Sequence, residues 1–540
     1  MNHAAWIAAA LLTPLCAAAA PVDLVLHDAA IYTENDKQPS ASVLVIHDGR
    51  IAYVGDEAGA QPYMKGERVV DLHGAMVLPG FHDAHIHPMS GAMRLLQCDL
   101  GKAESLKDVE TAVRADAAAK PVHPWVFCNG IADALGAKLT RQMLDAWSPD
   151  KPAFIRNFSG FIGWANSKAL AAAGLDAKGS GALKGDDVST VRHQVPPPSE
   201  AEYREALRRA TRMANSFGIT SLFDAAATPP MLEAYHHADL AGELNVRVTA
   251  AQLVDPDQGL AQVDTMVQRR EAVRGKRFKA DAAKIFLDGE ISEHTATLLA
   301  PYADTPDSRG PVIPQDQLDA LVQKLDAAGF LIHMHAMGDG AVRAGLDSLE
   351  YAMQKDGPAD RRDQIAHLNV VDPQDIPRFG KLGIAANFSA IWFAVDDPAS
   401  APTLALLGPE RSRYVFPIAS IAATGGRLTG GSDWPQPSMS PLDYIQYAVT
   451  RQPLDGSKPA LQPEQRITVA QAIAAYTKDA AWAVRDDPLD GTLEVGKAAD
   501  IVVLDRNLFK MNVMSIHETR VLLTLLDGEP VYRDLKLNWP

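Results

Sequence analysis

The run Val77-Leu-Pro-Gly-Phe-His-Asp-Ala-His-Ile-His-Pro88 puts two imidazoles two residues apart in a β-prone segment. Side chains alternate across an extended strand, so His85 and His87 share a face and can share an ion. Alone, a His-x-His pair specifies little. Four later segments repeat its form, each a short apolar run bearing a metal-capable residue at or near its end. They are Ala280 to Asp288 with Lys284 inside it, Leu331-Ile-His-Met-His335-Ala, Gln364-Ile-Ala-His367-Leu, and Arg427-Leu-Thr-Gly-Gly-Ser-Asp433.

Helical patterns lie between these runs. Leu318, Leu321, Val322 and Leu325 recur at helical spacing, and Gly329 closes that helix before Leu331. Alternating strand and helix predicts parallel βα units. Polar residues at the ends of successive strands then predict a (β/α)8 TIM barrel, whose site lies on the face formed by the strands' carboxyl ends.

The ordered markers Pro79-Gly-Phe81, Asp83-Ala-His85-Ile-His87, Lys284-Ile-Phe-Leu-Asp288-Gly289, His335-Ala-Met-Gly-Asp339, His367, Gly431-Ser-Asp433-Trp-Pro435 and Gly496-Lys-Ala-Ala-Asp500 span nearly the whole chain after its amino terminus. In them the chain resembles the amidohydrolase superfamily, and within it the family 3 branch of N-substituted formamide deformylase-like and YtcJ-like proteins. The resemblance implies two divalent ions: one on His85, His87 and Asp433, the other on His335 and His367. Lys284 would be carboxylated and bridge both. Imidazole nitrogen and carboxylate oxygen favour zinc, with manganese, cobalt or iron as alternatives. The implied reaction is attack of metal-activated water on a carbonyl carbon, with Asp433 taking a proton and delivering it to the leaving amine.

Three assignments have competitors. His333 shares a face with His335; the Ala-Met-Gly-Asp339 that follows favours His335 as ligand and leaves His333 to the core or to a supporting position. Lys284 reads also as an ordinary ion-pairing lysine, or as part of a single-metal site. Asp433, between Gly-Gly-Ser and Trp-Pro, could cap a turn. His236 and His237, adjacent on a helix, diverge and do not chelate one ion.

The chain departs from the resembled pattern at Phe161, which stands where many members of the family place a substrate-contacting histidine before Trp164-Ala-Asn-Ser-Lys-Ala-Leu170. Phe161, Trp164 and Trp392, with Trp125, are candidates for an apolar substrate pocket, and core packing is the alternative for each. Domain boundaries follow from composition and from the resemblance. An alanine-rich apolar stretch makes 1–20 a signal peptide cut near Ala19, which implies a periplasmic or secreted protein. Residues 21–78 and 486–540 would form a discontinuous β-sandwich, and 79–485 the barrel. A polar, proline-bearing segment at about 121–200 reads as an insertion over its mouth. Removing the signal leaves Cys98 and Cys128, which either pair or stay as buried thiols.

At 540 residues, 47% of them hydrophobic, the chain has material for a large core. A formal net charge of −16 argues against nucleic acid or anionic membrane as partner. A small-molecule substrate is expected, and a homo-oligomer is compatible with the chain. The function implied is hydrolysis of a non-peptide carbon–nitrogen bond in an amide, formamide or cyclic amide. A deaminase or an ester or lactone hydrolase would use the same centre. A non-catalytic binding or regulatory protein is disfavoured by six intact ligand positions.

Overall fold

In the computed structural model, eight parallel strands stand side by side in sequence order. They are β1 (Phe81–Ile86), β2 (Ile219–Ala227), β3 (Arg247–Leu253), β4 (Phe278–Phe286), β5 (Leu331–Ala336), β6 (Gln364–His367), β7 (Ala385–Phe388) and β8 (Leu428–Gly430). The structure describes residues 23–65, 68–96, 98–119, 124–157, 160, 162–176, 179–306, 310–394, 400–435, 438–537 and 539. The expected signal at 1–20 and Phe161 lie outside them.

The two edges of the sheet meet at the turn after β8, where Asp433 N donates to His85 O at 2.7 Å and His87 N to Trp434 O at 2.9 Å. Closure leaves no exposed edge, and helices separate the strands, so the expected (β/α)8 barrel is the fold observed. The helix Gln315–Ala327 buries Leu318, Leu321, Val322 and Leu325, and Gly329 follows it at φ 78° before β5 begins. In the barrel interior, Asn387 Nδ2 on β7 donates to Ala84 O at 3.1 Å and Thr429 Oγ1 at 3.0 Å. These bonds satisfy polar groups that burial would otherwise penalise, and they tie β1, β7 and β8 together.

Both chain ends build the flanking sheets. The carboxyl-terminal strands Ile501–Leu504, Val521–Leu526 and Glu529–Arg533 join Met76–Pro79, Ala30–Tyr32 and Ser40–Ala41 in one six-stranded sheet. Leu24–His27, Val43–His47, Arg50–Gly55 and Val69–Asp71 form a four-stranded sheet. Leu24, Leu44, Ile501 and Leu523 are among the residues of a shared core. Strand Met76–Pro79 runs through Gly80 into β1, so the His-x-His strand is rooted in this layer. Arg247, at the start of β3, donates from Nε to Asp500 at 2.7 Å and pairs with Asp527, clamping the carboxyl-terminal piece to the barrel.

A third layer follows β1. Cys98–Asp99, Val126–Ile131, Ala153–Asn157, Ile162–Ala165 and Ala182–Lys184 form a five-stranded sheet. It takes in Cys98 and the helix Leu106–Ala119, so the added layer starts upstream of the expected Pro121. Cys98 and Cys128 face each other across neighbouring strands and form a disulfide. No described helix is long and apolar enough to cross a membrane.

Candidate metal centre

The ends of β1, β4, β5 and β6 and the turn after β8 converge. Asp433 Oδ1 lies 3.2 Å from His87 Nε2 and 3.5 Å from His85 Nε2. Donor atoms of His85, His367 and Asp433 all fall within 4.8 Å of one another. The His367 ring centroid is 4.7 Å from that of His85 and 4.4 Å from that of His335. Lys284 on β4 is 1% exposed and sits in register with His333, while Phe286 pairs with His335.

Backbone geometry is unusual where the ligands stand. His367, Leu368 and Asp433 have φ of 80°, 51° and 53°. Non-glycine residues in that region are held there by their surroundings, and such outliers gather at functional sites. Gly431 is required by close approach: a Cβ there would lie 2.5 Å from His85 Cβ.

The donor set tests whether a metal fits. His85 Nε2, His335 Nε2 and His367 Nδ1 are buried without a hydrogen-bond partner. An unmet buried polar atom costs about 1–3 kcal/mol, and with His85 and His367 grouped on Asp433 and His335 beside His367, these atoms form a cradle that cations would satisfy. Burial, followed by the nearby Lys284 amine, holds the His335 imidazole down at about 3 and puts His85 well below its usual range. For His367, burial comes first, then His335 and Lys284. Neutral imidazole is the ligating form. Burial likewise lowers Lys284 to about 7, with the Asp433 carboxylate pulling the other way. Borderline nitrogen and hard oxygen donors suit a divalent ion.

The structure separates the two histidines of β5. His333 Nε2 lies 2.9 Å from His85 Nδ1, leaving His85 Nε2 toward Asp433. His335 faces His367 instead. The Trp392 ring lies 5.4 Å from that of His367. Trp164 does not line the centre: it is 4% exposed in the core of the third layer, with Cys98, Cys128 and Trp147. Trp125 packs against a second cluster of that layer.

Two acids at the site were not singled out by sequence reasoning. Asp288 accepts from Met337 N and Gly338 N at 2.9 Å each and from Thr297 N at 3.0 Å, and it stands 3.7 Å from His335 Nε2. It anchors the loop after β5, and burial raises it to about 7. Its signal was its place in Lys284-Ile-Phe-Leu-Asp288-Gly289. Burial raises Glu290 to about 8, and Asp433 adds to that shift; its segment carries no periodic signal.

Residues 68–532 match the amidohydrolase family Amidohydro_3. The putative amidohydrolase YtcJ of Bacillus subtilis (strain 168) is 27% identical over 94% of this chain and 99% of its own. The N-substituted formamide deformylase of Arthrobacter pascens is 26% identical over 94% of this chain and 97% of its own. In fold, the crystal structure of an uncharacterized metal-dependent hydrolase from Pyrococcus horikoshii OT3 superposes with a TM-score of 0.78 at 24% identity, covering 91% of this chain and 98% of that one. The chain belongs to the amidohydrolase family.

Proposed function

We propose that this protein hydrolyses a non-peptide carbon–nitrogen bond of an amide, formamide or cyclic amide at two divalent ions, zinc foremost, bridged by a carbamate on Lys284. The observation that carries this reading is the convergence of donor atoms of His85, His367 and Asp433 within 4.8 Å beside a buried lysine, with His85 Nε2 and His367 Nδ1 unpartnered. His85, His87 and Asp433 would hold one ion, and His335 and His367 the other. A lysine shifted to about 7 is substantially uncharged at neutral pH, and only the free amine adds carbon dioxide. When bound, such ions supply water whose pKa falls from about 15.7 to roughly 7 and an electrophilic contact for a carbonyl oxygen.

Asp433 sits between His85 and His87 with one oxygen toward both, so it can accept a proton from attacking water and return it to the leaving nitrogen. An amine departs readily only once protonated, so this transfer completes the bond cleavage. Trp392 stands beside His367 and would wall the centre there. The likeness to an N-substituted formamide deformylase supports a carbon–nitrogen bond as target. The Cys98–Cys128 disulfide supports export to an oxidising compartment. The test is turnover of N-substituted formamides and cyclic amides by metal-loaded protein, followed by amine release. Amine release lost on chelation and restored by zinc is expected. Hydrolysis of esters or lactones alone would contradict the carbon–nitrogen assignment.

A further inference from the structure

Between the barrel and the third layer lies a cavity of about 220 Å³. Arg94, Arg156 and Arg192 all line it. Arg156 gives Nε and Nη2 to Asn129 Oδ1 at 3.2 and 3.1 Å. Arg192 gives Nη1 to Val195 O at 3.5 Å. Both guanidiniums lie over the Phe127 ring, 5.1 and 5.0 Å from its centroid. Among the described residues no carboxylate pairs with either, although arginines elsewhere in this acidic chain, such as Arg247, Arg343 and Arg361, are paired. The ring face offsets part of the charge, yet the half-buried cations still repel. Burial, then Arg192 and Arg94, lowers Arg156 to about 10.

The rest of the wall is mixed, with Ser90 and Asn157 beside apolar Met93 and Met231. Met93 belongs to the helix Pro88–Leu96, which begins directly after His87, and Gly91 N donates to His87 O at 2.8 Å. Met231 stands near the start of the helix that follows β2. The cavity therefore borders the face of the barrel that carries the metal ligands.

We propose that this cavity binds the carboxylate of a small organic molecule, which Arg156 and Arg192 hold while Met93 and Met231 cover its carbon skeleton. Among the described residues, Arg156 Nη1 and Arg192 Nε and Nη2 are the donors left for it, and a guanidinium presents paired N–H groups that match a carboxylate. The carboxylate is either an arm of the substrate, which rests on the hydrolase reading above, or belongs to a separate small acid.

Calorimetric titration of the full chain with glutarate and with neutral glutaramide tests the proposal, on wild type, Arg156→Gln and Arg192→Gln. Glutarate should bind at least tenfold more tightly than glutaramide, and Arg192→Gln should weaken glutarate at least tenfold with unchanged Tm. Absence of glutarate binding, equal binding of the two probes, or glutarate affinity unaltered in both variants would overturn it. Kinetics with amides carrying or lacking a pendant carboxylate then identify the source. A KM raised by Arg192→Gln with kcat held, for the carboxylate-bearing amide only, assigns the substrate arm. Unchanged kinetics with glutarate binding lost assigns a separate acid. Glutarate binding lost in Arg192→Gln, with no amide turned over by wild type, would sink the hydrolase reading and uphold the cavity.

Discussion

His333 Nε2 approaches His85 Nδ1 to 2.9 Å, so one buried imidazole holds the outer nitrogen of another whose Nε2 faces Asp433. Supporting contacts of this kind fix ring orientation and tautomer, and their loss typically costs 10–100-fold in metal affinity. His333→Ala should therefore weaken the ion on His85 by about that factor. His335→Ala should instead remove a direct ligand of the other ion. Competition with a calibrated chelator separates the two, and identical titrations for both variants would contradict the division of roles.

Asp433→Asn should keep metal and lose turnover by roughly 10²–10⁴, the usual contribution of a positioned acid–base group. The amide retains an oxygen donor beside His85 and His87 but cannot carry a proton. Metal analysis and kcat on the same preparation check this, and a variant with full kcat would remove Asp433 from proton transfer.

Lys284 is buried beside Phe286, its Nζ 4.7 Å from the ring centroid, and no carboxylate forms an ion pair with it among the described residues. Lys284→Ala should lose metal and regain part of its activity with propionate, which can replace the bridging carboxylate. Metal-stripped wild type reloaded with zinc should also recover more slowly in bicarbonate-free buffer. Normal metal content in Lys284→Ala, with no effect of propionate, would rule the carbamate out.

Stability should depend on pH through Asp363, just ahead of β6. Its Oδ1 accepts from Ile332 N at 2.9 Å, its Oδ2 is buried without a partner, and burial pushes the carboxyl up to about 7. The folded state thus holds a proton that the unfolded state, near 3.9, releases first. The contribution is fully present below about pH 4 and is lost as pH rises to about 7, with a slope of at most about 1.4 kcal/mol per pH unit. Asp83 and Asp288, also raised to about 7, act with the same sign. Asp363→Asn keeps the acceptor and cannot ionise, so urea denaturation between pH 4 and 7 should show a shallower decline. An unchanged slope would mean that the wild-type carboxyl is not protonated in the folded state.

Strand periodicity made the barrel legible because each run is apolar and bears a polar residue that only the strand-end face can use, as with His85, His367 and Asp433. The roles of His333 and His335 were not separable in that way. They share one face of β5, so periodicity leaves them equal; the Ala-Met-Gly-Asp339 that follows favours His335, and in the structure tertiary neighbours, His85 for one and His367 for the other, distinguish them. Cys98–Asp99 is too short to show a period, so the first strand of the third layer is not legible in the sequence. Trp164 and Trp392 look alike in sequence, since a pocket wall and a core both call for a large apolar ring. The cluster of Arg156 and Arg192 around Phe127 is invisible in the sequence for a different reason: it joins residues from separate elements of one layer.

Metal content per chain, measured on protein purified without chelator or added metal, tests the centre most directly. Close to two divalent ions are expected, falling to near none in Lys284→Ala. A single ion that survives the loss of Lys284 would contradict the bridged pair. No ion, and no uptake of zinc or manganese, would contradict the metal centre itself.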